Sequence, residues 1–136
     1  MEVFVDTSAF VALENRGDAV YLAAVRQYRG LLRAGSSLVT SDYVFDETLT
    51  LLKIRASAQV ALHWGKRMLA SSLFHLVVVD RAMIEDGLEV FESAIDQPFS
   101  FTDCTSFALM RRRGIGTAFA FDEDFVRFGF DRVPRR

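Results

Sequence analysis

Four short segments of the sequence each carry an acidic residue where a strand ends or near the start of a helix. These segments are VDTSAF with Asp6, FDETLTLL with Glu47, FTDCTSFALMRR with Asp103 and AFAFDEDF with Asp122. Asp6 and Asp122 follow apolar runs typical of buried strands, and open parallel α/β sheets gather active-site residues at the carboxyl ends of their strands. Because carboxylates that share a site repel each other when all are ionised, four of them together indicate a bound cation.

The chemistry that suits such a set of acids is that of a hard divalent cation with oxygen ligands. Mg²⁺ held by carboxylates usually also engages phosphate, so the pattern predicts a metal-dependent enzyme that acts on a phosphodiester. Thr7 and Ser8 follow the first acid and add hydroxyls that could hold a phosphate or a metal-bound water at a helix N-terminus. Ser106 lies one turn beyond Asp103 on the same side of its predicted helix, which makes it a further candidate for positioning phosphate.

Each acid also has an ordinary structural explanation. Asp6 would cap the helix that follows it, and Asp103 would interact favourably with the dipole of a helix in its first turn. Glu47 lies at helical spacing from Leu51 and leans toward the packed face, whereas Asp46 points about 100° away and is the better surface residue. Together, however, the four acids lie at two strand ends and on two helices that reach the same edge of the predicted sheet, and this arrangement indicates a shared site.

The rest of the sequence predicts the elements that would position these acids. Apolar runs predict strands at 2–5, 38–40, 74–79 and 117–121, with a possible edge strand at 130–133. The run at 74–79 is continuously apolar, as expected for a strand buried on both faces. Spacing and capping residues predict helices over 9–13, 19–32, 42–55, 57–71, 81–95, and from Ser100 or Thr102 to 112. The alternation indicates a three-layer α/β/α sandwich with a central parallel sheet of four to five strands.

Length and composition are consistent with one domain over residues 1–136. Half of the residues are apolar, and a chain of this length buries enough surface for a full core. The single cysteine, Cys104, is expected to be a small buried residue, and its isolation fits a reducing cytosol. No apolar stretch is long enough to span a membrane, and no secretory leader is apparent, so a cytoplasmic location is expected.

Charge is distributed unevenly along the chain. The net charge of −2 argues against a general binder of polyanions. Arginines nevertheless concentrate toward the C-terminal end, at positions 111–113, 127, 132, 135 and 136. They could grip phosphates near the acidic cleft, or the triplet at 111–113 could complement the dipole at the end of its helix, and the two roles are compatible.

Taken together, these segments resemble the PIN domain family, and in particular the VapC-type toxins of toxin–antitoxin pairs. The resemblance covers nearly the whole chain, through VDTSAF, YVFDETLTLL, FSFTDCTSFALMRRRGI and AFAFDEDF in the family's order and spacing. It places the family's four acids on Asp6, Glu47, Asp103 and Asp122, and a hydroxyl position on Thr7. Asp124 falls where some members carry an acid and many carry histidine, which makes it a supporting candidate for a metal ligand. Ala120 departs from the threonine often found before the fourth acid.

The resemblance implies a Mg²⁺- or Mn²⁺-dependent ribonuclease that leaves a 3′-hydroxyl and a 5′-phosphate. It also implies a homodimer and a cognate antitoxin whose C-terminal segment lies across the cleft. Helix surfaces rich in apolar residues predict a groove beside the acids, lined by the first three helices, that would receive an amphipathic helix with an arginine. In the metal-free protein, at least one acid of the cluster should titrate above its ordinary range.

Two alternatives to a nuclease are compatible with parts of the sequence. A PIN domain without catalysis would only bind RNA or a protein, although all four acids are present here. A phospho-accepting receiver domain would carry an acid at the end of its third strand, as Asp80 does. A receiver also needs an acidic pair after the first strand and a late lysine, whereas Asp6 precedes Thr7 and Ser8, and no lysine follows Lys66.

Overall fold

The computed structural model describes residues 1–135, which fold around a five-stranded parallel sheet with the strand order β3-β2-β1-β4-β5. The strands are β1 Glu2–Val5, β2 Ser37–Ser41, β3 Phe74–Val77, β4 Thr117–Phe119 and β5 Asp131–Val133. The helices are α1 Thr7–Glu14, α2 Tyr21–Arg33, α3 Asp42–Arg55, α4 Ala58–Ala70, α5 Arg81–Ser93, α6 Phe101–Arg113 and α7 Asp124–Phe128. Helices α1 to α4 pack together, and α5 packs on α6, which also contacts α7 and α3. The predicted α/β/α architecture is confirmed.

Strand β1 lies at the centre of the sheet. Val3, Phe4 and Val5 are fully buried, as expected for a parallel strand with neighbours on both sides. The Asp6 backbone N–H donates to the carbonyl of Phe119 at 3.0 Å, so the pairing of β1 with β4 continues one residue beyond the strand. This continuation fixes Asp6 at the carboxyl edge of the sheet.

The third strand differs from its prediction. β3 pairs only with β2, lies at the edge of the sheet and is partly exposed, with His75 on the surface. It ends at Val77 rather than Val79, because the Val79 N–H donates to the carboxylate of Asp42 at 2.9 Å. The expectation of a strand buried on both faces is therefore wrong, since a short apolar run fits an edge strand equally well.

Capping residues account for most of the helix boundaries. The side chains of Ser41, Ser57, Asp80 and Ser100 each accept a hydrogen bond from a backbone N–H in the first turn of the following helix. Helix α6 ends at Gly114, whose φ of +69° favours glycine. The predicted boundaries of these helices lie within about two residues of those observed, whereas α7 is absent from the prediction.

An aromatic cluster packs α7 and the residues around it against helix α6. The ring of Phe107 lies 4.4 to 5.9 Å, centroid to centroid, from the rings of Phe99, Phe125, Phe128 and Phe130. Each such pair of rings stabilises the fold by about 0.5–1.5 kcal/mol, in addition to the contribution of the apolar area that it buries. Because Phe107 lies one turn beyond Asp103, the cluster also holds the segment after β4 close to that acid.

Two expectations from composition can be compared with the structure. Cys104 is completely buried in α6, which confirms its place in the core. Within residues 1–135, no helix has both the length and the apolar composition needed to cross a membrane.

Candidate active site

One cleft at the carboxyl edge of the sheet is lined by all four predicted acids. Asp6, Glu47, Asp103 and Asp122 contribute to its wall, and its volume is about 340 Å³. They come from the end of β1, the middle of α3, the first turn of α6 and the segment after β4. The structure thus brings together residues that are up to 116 positions apart in the sequence.

Asp6 caps α1 and is almost completely buried. Its Oδ2 accepts hydrogen bonds from the Ser8 hydroxyl at 2.7 Å and from the Ser8 N–H at 3.1 Å. Burial raises the pKa of Asp6 from the ordinary 3.8 to about 6; the Ser8 hydrogen bonds oppose this shift, and the charges of Glu47 and Asp122 add to it. Both the structural role and the expected raised pKa are therefore present at one residue.

Asp103 forms a capping box with Ser100 at the start of α6. The Ser100 N–H donates to the carboxylate of Asp103, and the Asp103 N–H donates to the Ser100 hydroxyl, both at 3.0 Å. The pKa of Asp103 is raised to about 7, chiefly by burial and also by the charges of the other aspartates, while the Ser100 N–H lowers it. Burial and the neighbouring charges thus favour the predicted elevation of the pKa at both Asp6 and Asp103.

Asp122 lies on the short turn that leads from β4 into α7, and Asp124 is the first residue of α7. The Asp124 N–H donates to Oδ1 of Asp122 at 2.8 Å, which fixes the two carboxylates relative to each other. Asp124 is 8% exposed and also accepts from Arg127 at 2.9 Å. Burial and then the neighbouring Asp122 raise the pKa of Asp124, while Arg127 lowers it. Asp124 is thus a close neighbour of Asp122 rather than a solvated turn residue.

Glu47 reaches the cleft from the second turn of α3. It is half-buried, whereas the adjacent Asp46 is exposed, as the helical spacing predicts. Helix α3 packs against α1, which follows Asp6 directly, so the two acids face the cleft from adjoining elements.

The three candidate hydroxyls have different environments. Thr7 lines the cleft, and its Oγ1 is buried without a hydrogen-bond partner among the described residues. Ser8 also lines the cleft, but its hydroxyl donates to Asp6 and accepts from the Phe121 N–H at 2.9 Å, so it joins the ends of β1 and β4. Ser106 is completely buried and donates to the Thr102 carbonyl at 2.8 Å, so its hydroxyl does not face the cleft.

None of the C-terminal arginines within residues 1–135 lines the acidic cleft. Arg111 lies over the ring of Phe128, Arg112 pairs with Asp86, and Arg113 pairs with Glu2, and all three lie in the last turn of α6. Of the other C-terminal arginines, Arg127 pairs with Asp124, Arg132 is buried, and Arg135 lines another surface pocket. Arg136 lies outside the described residues. The arginine that does line the cleft is Arg55, at the end of α3, which the sequence did not single out.

The donor set fits a hard divalent cation. One carboxylate oxygen from each of Asp103, Asp122 and Asp124 lies within 4.8 Å of the other two. Such a group can share one Mg²⁺ or Mn²⁺ directly or through its water shell. The buried and unpaired Thr7 hydroxyl adds a donor for a phosphate or a bound water. A cation would also offset the cost of ionising Asp6 and Asp103 in a buried site.

The fold agrees with the comparison to known proteins. The chain belongs to the PIN domain family, which matches it over residues 3–131. It is similar to VapC20 from two strains of Mycobacterium tuberculosis, named a 23S rRNA-specific endonuclease, with 37% identity over 131 residues that span 96% of this chain and 97% of the relative. The crystal structure of VapC20, described as a Sarcin–Ricin loop cleaving toxin, has a TM-score of 0.85 and 36% identity over 94% of this chain and 95% of that one.

Two more distant structures share the fold. VapBC2 from Rickettsia felis, solved with a DNA fragment from its promoter, has a TM-score of 0.71 at 11% identity, with 97% of each chain covered. FitAcB from Neisseria gonorrhoeae has a TM-score of 0.68 at 13% identity over 97% of this chain and 96% of that one. At such low identity these similarities concern the architecture alone.

Proposed function

We propose that this chain is a metal-dependent endoribonuclease and the toxin component of a toxin–antitoxin pair. The observation that carries the proposal is the convergence of Asp6, Glu47, Asp103 and Asp122 in one cleft. The similarity to VapC20 over almost the whole chain supports RNA as the substrate. When bound, Mg²⁺ or Mn²⁺ supplies an activated water and stabilises charge on the attacked phosphate and the leaving oxygen.

In this proposal, different residues of the cleft bind the cation and position the substrate phosphate. Asp103, Asp122 and Asp124 have carboxylate oxygens close enough to share one cation and would hold it. Asp6, which Ser8 orients through two hydrogen bonds, completes the acidic wall with Glu47. The free Thr7 hydroxyl would donate to the substrate phosphate or to a bound water.

Paired substitutions test this assignment. Asp6→Asn and Glu47→Gln each keep the size of the side chain and remove one charge, and should lower the cleavage rate at least about a hundredfold. Asp46→Asn is the matched control, because Asp46 is the exposed neighbour of Glu47 on the same helix. Its rate should stay close to that of the unmodified protein.

The measurement is single-turnover cleavage of labelled RNA with Mg²⁺, with Mn²⁺ and with excess EDTA. Cleavage that persists in EDTA, or Asp6→Asn that cleaves normally, would contradict the nuclease proposal. RNA binding without any cleavage in either metal would instead favour a catalytically inactive PIN-type binding module.

The proposed substrate class is ribosomal RNA, and the proposed place of action is the cytoplasm. This rests on VapC20, whose name specifies 23S rRNA and whose structure is described by its cleavage of the Sarcin–Ricin loop. A hairpin with that loop sequence and a hairpin with the same stem but a scrambled loop should be compared as substrates. Equal cleavage of the two hairpins would contradict this choice of target.

An apolar groove beside the acids is the proposed binding site of the antitoxin. The groove has a volume of about 550 Å³, and its lining comes mainly from α1, α2 and α4, with apolar residues such as Phe10, Leu32 and Trp64. The expected lining by the first three helices needs correction, because α4 takes the place of α3. Helix α1 separates the two cavities, since Val11 faces the cleft while Phe10 faces the groove.

An amphipathic helix of the antitoxin would fill this groove, and a following arginine would reach the carboxylates across α1. Leu32→Glu places a charge in the groove and should abolish complex formation with the antitoxin encoded alongside. Leu69→Glu is the matched control, because Leu69 is exposed on α4 and does not line the groove. Mass and cleavage should be measured together, and a complex that cleaves RNA at the free rate would contradict inhibition through this contact.

The proposed homodimer uses an exposed apolar face of α5. Leu88, Phe91 and Ile95 lie at helical spacing on or just beyond α5 and are 54%, 40% and 65% exposed. Contiguous exposed apolar residues usually mark interfaces. Leu88→Glu should convert a dimer to a monomer in sedimentation at micromolar concentration, whereas Leu62→Glu on α4 should not. A monomeric unmodified protein would contradict the dimer.

A further inference from the structure

Arg55 is the one cationic side chain that lines the acidic cleft in the described part of the chain. It is the last residue of α3, one turn beyond Leu51 and two turns beyond Glu47, which also line the cleft. The four acids of the cleft therefore face a single guanidinium, which is exposed to solvent. Neither composition nor motif points to this residue, because only the fold brings it to the acids.

Arg55 is unpaired, although carboxylates surround the same cleft. Within residues 1–135 it forms no ion pair and no hydrogen bond, so it lies more than 4.0 Å from every carboxylate. Most arginines near the C-terminal end have partners: Arg112 and Arg113 form ion pairs, and Arg127 is held by Asp124. The guanidinium of Arg55 is thus available to a ligand that enters the cleft.

The net charge of the cleft explains why the Arg55 guanidinium would matter for RNA binding. Four carboxylates outweigh one guanidinium and one divalent cation, so an approaching RNA backbone would meet net negative charge. A guanidinium binds phosphate through two parallel hydrogen bonds as well as by charge. Because Arg55 stands apart from the carboxylates, it would reach a phosphate beside the one that is attacked.

We propose that Arg55 binds a phosphate of the RNA backbone next to the scissile one and so holds the strand across the acidic cleft. This inference rests on the proposed ribonuclease function. Arg55 acts by binding substrate, and the acids carry the chemistry. Its loss should therefore raise KM and leave kcat largely unchanged.

The experiment compares Arg55→Gln and Arg55→Lys with Arg33→Gln. Arg33 is the matched control, because it is also an exposed, unpaired arginine at the last position of a helix, α2, and it does not line the cleft. Both glutamine variants lose the same favourable interaction with a helix C-terminus, so their melting temperatures should change alike. RNA binding is measured by fluorescence anisotropy in an Asp6→Asn background, where cleavage does not consume the substrate.

Arg55→Gln should weaken RNA binding about tenfold and reduce the slope of log K against log salt by about 0.7, as expected for one lost phosphate contact on a single strand. Arg55→Lys should recover part of the affinity, and Arg33→Gln should match the unmodified protein. In the cleaving background, KM should rise about tenfold while kcat changes less than about threefold.

Three results would overturn the inference: unchanged RNA binding in Arg55→Gln, an equal loss in Arg33→Gln, or a loss confined to kcat. Unchanged RNA binding together with weaker antitoxin binding would assign Arg55 to the protein partner instead. Failure of the ribonuclease proposal looks different, because the unmodified protein would then cleave no RNA in Mg²⁺ or Mn²⁺.

Discussion

Replacement of Asp6 by asparagine should make the metal-free protein more stable at neutral pH, although it should abolish cleavage. Asp6 is 3% exposed, and burial raises its pKa from 3.8 to about 6. Because the folded protein then holds this proton more tightly than the unfolded chain, protonation stabilises the fold. That stabilisation is complete below about pH 3.8 and is lost as the pH rises through 6.

The size of the effect follows from the shift in pKa. The difference between about 6 and 3.8 corresponds to roughly 3 kcal/mol at 1.36 kcal/mol per pKa unit. The substituted asparagine would avoid this cost of ionisation, but its amide N–H groups need partners in a buried position, which costs about 1–2 kcal/mol. We therefore expect Asp6→Asn to be about 1–2 kcal/mol more stable than the unmodified protein at pH 7.5.

The assay is urea unfolding of both proteins in EDTA at pH 4 and at pH 7.5. At each pH, the stability of the unmodified protein is subtracted from that of Asp6→Asn. The free-energy cost of the buried amide is the same at both pH values, so it cancels when the difference at pH 4 is subtracted from the difference at pH 7.5. The subtraction should give roughly 2–3 kcal/mol in favour of Asp6→Asn at the higher pH, because the unfolded aspartate is already partly ionised at pH 4. Asp103 is present in both proteins, but the charge of Asp6 also raises its pKa, so the relief of this repulsion in Asp6→Asn adds to the difference in the same direction.

Two controls sharpen this result. Asp46→Asn, on the exposed face of α3, should change stability by less than about 0.5 kcal/mol at either pH. Mg²⁺ at pH 7.5 should stabilise the unmodified protein more than Asp6→Asn, since binding to the folded state adds stability. If the stability difference between Asp6→Asn and the unmodified protein is the same at pH 4 and pH 7.5, then burial does not raise the pKa of Asp6 in the folded protein. That result would contradict the prediction.

The remaining predictions concern packing and the division of labour among the acids. Gly87→Ala would bring a Cβ within 3.0 Å of the Thr105 methyl where α5 packs on α6, and should cost about 1–2 kcal/mol in thermal unfolding. Gly30→Ala meets no atom within 4 Å in α2 and should stabilise by about 0.5–1 kcal/mol; loss of stability in both variants would contradict the packing argument. Asp122→Ala should reduce cleavage more than Asp124→Ala, because only Asp122 lines the cleft. The reverse order in single-turnover assays would exchange their assignments.

The sequence was most informative where local chemistry determines structure. The caps at Ser57, Asp80 and Ser100 fix helix starts by hydrogen bonds within one turn, so their positions are visible in the sequence. The four acids were also predictable as neighbours, because parallel strands place their carboxyl ends at one edge. Their roles as ligands remain predictions.

Features that depend on tertiary packing were harder to predict. Helix α7 has five residues, too few for a periodic pattern, and its rings are held by Phe107 from another element. The partial exposure of β3 depends on its edge position, which no residue of the strand encodes alone. Arg55 reaches the cleft only because α3 packs against α1, and Ser106 is withdrawn from it by the carbonyl of Thr102.

The chain's single tryptophan provides an optical consequence of the groove between α1, α2 and α4. Trp64 is 3% exposed, lies 5.3 Å from the Phe10 ring and lines this groove, but it does not line the acidic cleft. Its fluorescence should therefore report the proposed docking of a helix in this groove and should respond little to a metal bound at the carboxylates. Helix docking in this groove can thus be followed by tryptophan fluorescence, without a label, in the presence or absence of metal.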